Sequence, residues 1–194
     1  YMDIVSFTKE IYMSFYEYAL KHSVNYKFEH MEEKLNLWFD PVQLQKVIFN
    51  LLSNAFKYTK AKGSITVSIR KIKNEVEIRV EDDGVGISKE SIHKIFDRFY
   101  QVDGQSSEFT LGTGIGLAVS KGIVELHKGN IRVESEVGQG SVFIVTLLTG
   151  NEHFPKEVLS DSESNFHLIK DGVLEDLALE ELMLEEPVKE QELT

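Results

Sequence analysis

The chain has 194 residues, 42% of them hydrophobic, a net charge of −11 and no cysteine. That length supports one sizeable core plus an appendage, and the composition excludes a disulfide framework. No run of about 18 apolar residues is present to span a bilayer. The charge is uneven: residues 151–194 carry 13 acidic and 3 basic side chains, net −10, which leaves 19 acidic and 18 basic, net −1, in residues 1–150. Neither part holds the basic patch that nucleic-acid binding requires. We expect a folded domain over residues 1–150 and an acidic linker over residues 151–194. Tyr1 in first place predicts a piece of a longer protein, and the absence of cysteine and of a signal peptide fits a reducing, cytoplasmic setting.

In chain order, residues 3–22 place Phe7, Ile11, Phe15, Tyr18 and Ala19 at helical spacing, which predicts one amphipathic helix. Two short extended runs follow, residues 25–29 and 35–39. Asp40-Pro41 is a helix start, with Asp as N-cap and Pro at the first position, and the helix runs to about Thr59. Within it Asn50, Asn54, Lys57 and Tyr58 (i, i+4, i+7, i+8) share a narrow arc, while Ile48, Leu51, Leu52 and Ala55 face the other way. Two carboxamides and an ammonium on one stripe suit either an exposed polar face or a ligand site. In the second case amide oxygens meet a hard cation and Lys meets phosphate.

Residues 64–72 and 75–82 alternate with period two around Lys73-Asn74, which predicts a hairpin. Asp82-Asp83-Gly84-Val85-Gly86-Ile87 closes it. Two glycines in three residues allow a tight turn and let a flat ligand lie against bare backbone. The carboxylate at the strand end can accept a hydrogen bond from an amino group such as that of adenine, although a plain loop turn has the same letters. A short helix from Ser88 leads to Ile95-Phe96-Asp97-Arg98-Phe99-Tyr100, where Phe96 and Phe99 also suit a small core patch. Residues 101–111 lack periodicity and read as a mobile loop, a candidate lid beside a ligand site. Gly112-Thr113-Gly114-Ile115-Gly116-Leu117 then opens a helix that continues to His127, and exposed N–H groups at such a start cradle anions. No Lys-Ser/Thr follows these glycines, so this is not a Walker loop, and the spacing is not the dinucleotide fingerprint. His127 at the helix end reads as a cap. Two strands, residues 130–136 and 141–148, finish the folded part. In the acidic tail, Leu174, Leu177, Leu182 and Leu184 stand among carboxylates, a pattern of a solvated linker or of a segment that docks on a neighbouring surface.

The order of these motifs, Asn-x-x-x-Asn, DxGxG, FxxF and GxGxG opening a helix, resembles the ATP-binding domain of sensor histidine kinases. That domain belongs to the wider family shared by gyrase, Hsp90 and MutL. The resemblance covers roughly residues 3–149; Phe96 to Tyr100, the Gly-Ile-Gly-Leu-Ala run and Val124-Glu125-Leu126-His127 resemble histidine kinases in particular. It implies an α/β (α+β) two-layer sandwich of the Bergerat type, a mixed sheet of about five strands with about three helices on one face. By the same resemblance Asn50 binds Mg²⁺, Asn54 supports phosphate and metal, Lys57 contacts phosphate and Tyr58 lies along the nucleotide. Asp82 takes the adenine amino group, and Gly84, Gly86 and Ile87 form the floor beneath the base. Phe96 and Phe99 anchor the lid, and Arg98 steadies the lid or the γ-phosphate. Gly112, Thr113, Gly114, Ile115, Gly116 and Leu117 wrap the phosphates.

The resemblance implies ATP and Mg²⁺ as ligands, a histidine-bearing dimerisation domain of the same protein as partner and, from the acidic tail, a downstream receiver domain of a hybrid kinase. It places this part on the cytoplasmic side of a membrane-anchored sensor, with no membrane contact of its own and no nucleic-acid partner. Two positions depart from the family pattern. Where hydrolysing members carry a glutamate base one turn before the first Asn, this chain has Lys46; where many histidine kinases carry a basic residue, it has Gln101. None of the six histidines is followed by an acidic residue and then proline, so the phosphoacceptor is expected upstream of Tyr1 and the fragment is not expected to autophosphorylate alone. A serine kinase of the anti-sigma type and a non-catalytic nucleotide-sensing module share the same scaffold and stay as alternatives.

Overall fold

The computed structural model describes residues 1–101 and 114–159. Strand β1 (Met2–Asp3) runs into helix α1 (Ile4–Ser14) and helix α2 (Tyr16–Lys21). The single helix expected over residues 3–22 is therefore broken at Phe15. Its ring is fully buried and stacks on Phe56 (5.5 Å between centroids), while its N–H turns back to the Tyr12 carbonyl at 3.1 Å. Tertiary packing of one aromatic side chain overrides a continuous helical pattern here.

Strands β2 (Asn25–His30) and β3 (Asn36–Leu37) come next, and β3 pairs antiparallel with β1. Helix α3 (Pro41–Tyr58) starts as its sequence dictates: the Asp40 carboxylate accepts the Gln43 N–H at 3.1 Å, and Pro41 occupies the first turn. Its inner face buries Leu44, Val47, Ile48, Leu51, Leu52, Ala55 and Phe56. Each of the larger side chains contributes about 1.5–3 kcal/mol of burial, and truncating Leu51 to Ala would cost about 2–5 kcal/mol.

Strands β4 (Ser64–Ile72) and β5 (Glu75–Asp82) form the expected hairpin, followed by the short helix α4 (Lys89–Ile92), helix α5 (Gly116–Leu126), and strands β6 (Asn130–Glu136) and β7 (Gly140–Leu148). The five-stranded sheet runs β2-β4-β5-β7-β6, with β2 parallel to β4 and all other pairs antiparallel. A parallel pair cannot be closed by a tight turn, and the β2-to-β4 crossover is the segment that contains α3. Period-two alternation sends Ile65, Val67, Ile69, Val76, Ile78, Val80, Phe143, Val145 and Leu147 into one core beneath α1, α3 and α5. This is the mixed, two-layer sandwich that the sequence implied.

The other face of the sheet is polar and is pinned by Glu77, which accepts from Arg70 (2.6 and 2.8 Å) and Arg132 (3.0 Å). Burial works to raise that carboxyl, but the two guanidinium groups outweigh it and hold it below the usual range. After β7 the chain turns back along the body, and the Phe154 ring meets the His127 ring edge-on at 6.5 Å. Among the described residues no helix is long and apolar enough to cross a membrane. The leucine-bearing part of the acidic tail lies outside the described residues.

Candidate nucleotide site

Asp82 is the last residue of β5, on the helix-facing side of the sheet, and it is only 6% exposed. Burial drives its carboxyl up to about 6, against hydrogen bonds from the Gly84 and Ser141 N–H groups, and nearby Asp83 and Glu81 push the same way as burial. The loop that follows is built against backbone. A Cβ on Gly84 would collide with the Tyr58 carbonyl, and one on Gly86 (φ +71°) with the Glu136 carbonyl. The Val85 N–H donates to the Tyr58 carbonyl at 3.3 Å, so the C-terminal end of α3 and the Asp82–Ile87 loop share a seam. The result is a buried carboxylate beside a loop packed so closely on backbone that only glycine fits at positions 84 and 86, and such a carboxylate can accept an exocyclic amine.

Asn50 lies half-buried on the face of α3 that meets α5. Its Nδ2 donates to Ser120 Oγ at 3.0 Å, and its Oδ1 lies against the Cα of Gly116, where any side chain would collide. Ser120 thus fixes the amide so that the oxygen is the end left to meet a cation. This suits Mg²⁺, which takes one or two protein oxygens and completes its shell with phosphate and water. Among the described residues no cluster of three His, Cys, Asp or Glu side chains offers an alternative all-protein metal cage.

Gly114 (φ +67°), Ile115, Gly116 and Leu117 lead into α5, whose first turn has no side-chain cap. Unsatisfied N–H groups at that end are what an anion would meet. The far end is locked. His127 Nε2 accepts the Asp40 N–H at 3.0 Å, so Nδ1 carries the proton and donates to the Ile123 carbonyl at 2.8 Å. The expected capping role of His127 is observed, and it also ties α5 to the start of α3.

Asn50, Asn54, Lys57 and Tyr58 on α3, Asp82 to Ile87, and Gly114 to Leu117 therefore occupy neighbouring elements at one end of the sandwich. Gly112 and Thr113 lie outside the described residues, as does most of the segment expected to form a lid. Phe96 packs on the core, whereas Phe99 is 72% exposed at φ +64°, its N–H bonded to the Gly114 carbonyl at 2.9 Å. Arg98 is exposed. Sequence reasoning missed Ser120, Ser135 and Ser141. Each is a hydroxyl at a core-facing position, and a small polar residue in an apolar register was the only signal available.

Comparison with known proteins decides the family. Residues 39–151, more than half of the chain, match the model described as histidine kinase-, DNA gyrase B- and HSP90-like ATPase. The chain belongs to this family. A histidine kinase of Formosa agariphila is 42% identical over 163 residues, 82% of this chain and 12% of that protein. The sensor protein kinase WalK of Staphylococcus aureus is 39% identical over 127 residues, 64% of this chain and 29% of that sequence. Among solved structures, the catalytic domain of histidine kinase ThkA superposes with a TM-score of 0.66 at 28% identity, covering 74% of this chain and 92% of that one. ThkA in complex with the response regulator TrrA gives 0.67 at 27% identity, covering 79% of this chain and 42% of that one. The chain is thus a histidine-kinase ATP-binding catalytic domain, and it spans less than a third of the length of these curated relatives.

Proposed function

We propose that this domain binds Mg²⁺-ATP between α3, the Asp82–Ile87 loop and the start of α5, and presents the γ-phosphate to a histidine on a dimerisation domain outside this chain. The observation that carries the reading is Asp82: a buried carboxylate, raised to about 6, beside a loop packed so closely on backbone that only glycine fits at positions 84 and 86. Its carboxylate accepts the adenine amino group, Gly84 and Gly86 lie under the ring, and Lys57 and the Gly114–Leu117 backbone meet the phosphates. Asn50 Oδ1, oriented by Ser120, holds Mg²⁺, which when bound spreads charge over the phosphate oxygens.

Catalysis by the protein is then positioning: the residues on α3 and α5 hold a phosphate in line for an imidazole that another domain brings. Transfer rather than hydrolysis is supported by Lys46, which stands one turn before Asn50, is exposed and cannot serve as a base for water. The bound TrrA seen with ThkA supports a response regulator as the downstream partner. A membrane-anchored sensor with a receiver domain beyond the acidic tail completes the proposed context. A longer form of the protein that includes the dimerisation hairpin, incubated with γ-labelled ATP, should gain phosphate that is labile in acid and stable in base. Acid-stable label would instead mean a serine kinase and contradict the proposal.

A further inference from the structure

The Asp82–Ile87 loop is tied down at nearly every residue. Asp83 N–H donates to the Ser64 carbonyl (3.2 Å), Val85 N–H to the Tyr58 carbonyl (3.3 Å), and Gly138 N–H to the Val85 carbonyl (2.8 Å). Those are backbone bonds, which a side-chain substitution leaves in place. Three others depend on side chains: Gly84 N–H donates to the Asp82 carboxyl (2.9 Å), Ser64 N–H to the Asp83 carboxyl (2.8 Å) and Ile87 N–H to Ser135 Oγ (2.8 Å). Asp82 is itself a proposed ligand contact and Asp83 ties only the near end to β4, so Ser135 is the side chain from outside the loop that fixes its far, Ile87 end.

Ser135 sits on β6 in the core-facing register, beside Ser141 on β7, which in turn pairs with Asp82 on β5. A hydroxyl offers one hydrogen and two lone pairs. Here the hydrogen goes to the Gly140 carbonyl (2.6 Å), and the lone pairs receive Ile87 N–H and the Ser141 hydroxyl (3.0 Å). Gly140 (φ +92°) packs so closely on the Asp82 carbonyl that no Cβ fits. One saturated hydroxyl therefore joins the far end of the loop to the turn that backs its near end.

We propose that Ser135 is a positioning residue for the nucleotide, its hydroxyl latching the Ile87 end of the loop so that Gly84 and Gly86 lie flat beneath the base. This rests on the ATP-site reading given above. Glycines have wide conformational freedom, and a floor containing two of them must be ordered either in advance or at the expense of binding. Removing the hydroxyl leaves Ile87 N–H without its acceptor and takes the Ser135 donor from the Gly140 carbonyl.

The test is calorimetric titration of ADP into the full chain and into Ser135→Ala, Ser135→Thr, Val133→Ala and Asp82→Ala, with amide hydrogen exchange followed at Ile87. Ser135→Ala should bind ADP about tenfold more weakly and exchange the Ile87 amide faster. Ser135→Thr, which keeps a hydroxyl on a side chain suited to a strand, should restore most of the affinity. Val133→Ala, two residues earlier on the same face, should lose thermal stability yet keep wild-type affinity. Wild-type affinity in Ser135→Ala, or an equal loss in Val133→Ala, overturns the latch and leaves the nucleotide site standing, provided the wild type binds and Asp82→Ala does not. A wild-type chain that does not bind ADP overturns both.

Discussion

Replacing Asp82 by asparagine removes one buried titratable charge and isolates what that charge costs. The carboxyl rises from an ordinary 3.8 to about 6, first because burial penalises the charged form, with the Gly84 and Ser141 N–H groups opposing. Between these two values the native state binds more protons than the unfolded chain. Stability from this group is therefore fully present below 3.8 and is lost as pH rises through about 6. A shift of about two units corresponds to about 3 kcal/mol, at roughly 1.4 kcal/mol per unit. Asparagine does not titrate, so the stability of Asp82→Asn relative to the wild type should climb by about 2.5 kcal/mol between about pH 4 and about pH 7.5, whatever constant offset the amide introduces. Urea denaturation of both proteins across that range measures the difference directly. A flat difference, or one that falls with pH, would refute the burial argument. The same charge is the proposed adenine acceptor, so wild-type ADP affinity should decline as pH falls below about 6, by at most about tenfold per unit.

Other substitutions probe neighbouring parts. Gly116→Ala puts a methyl group where Asn50 Oδ1 lies, and should weaken the Mg²⁺-dependent part of ATP binding about tenfold while leaving Mg²⁺-free binding nearly unchanged, as read by titration with and without the metal. His127→Ala deprives the Asp40 N–H of its partner and the Ile123 carbonyl of one of its two, the backbone N–H of residue 127 remaining, and should cost about 1–3 kcal/mol in urea denaturation. Tyr26→Phe removes a buried hydroxyl that has no hydrogen-bond partner and should raise stability by about 1 kcal/mol; a loss would mean that the phenol is satisfied by water.

What the sequence made legible was local. The hairpin strands β4 and β5 fall on the predicted residues because alternation and the Lys73-Asn74 turn act within a few positions; Lys73 adopts φ +56° at that turn. Helix α3 begins where Asp40-Pro41 says it must, since capping is a contact of three residues. The motif order marks Asn50, Asp82 and the glycines as candidates because each motif has its own short-range signature.

Long-range contacts were not legible. The break at Phe15 depends on a ring 41 positions away, Phe56, and the parallel docking of β2 on β4 depends on a crossover whose geometry no local pattern encodes. The extended run over residues 35–39 shrinks to a two-residue strand because its partner is only Met2–Asp3. The serine latch was invisible for the same reason: Ile87 finds Ser135 48 residues later, across three strands of register. The exposure of Phe99 was likewise not predictable from its FxxF spacing, since its left-handed backbone is fixed by a bond to Gly114.

The central claim, that Asp82, the glycine floor and Asn50 form one Mg²⁺-nucleotide site, is tested most directly by calorimetric titration of ADP and a non-hydrolysable ATP analogue with and without Mg²⁺. The account predicts saturable binding that Mg²⁺ strengthens, that Asp82→Ala abolishes and that Asn50→Ala weakens chiefly in the presence of the metal. Binding that survives intact in Asp82→Ala, or no binding by the wild type at millimolar nucleotide, would contradict it.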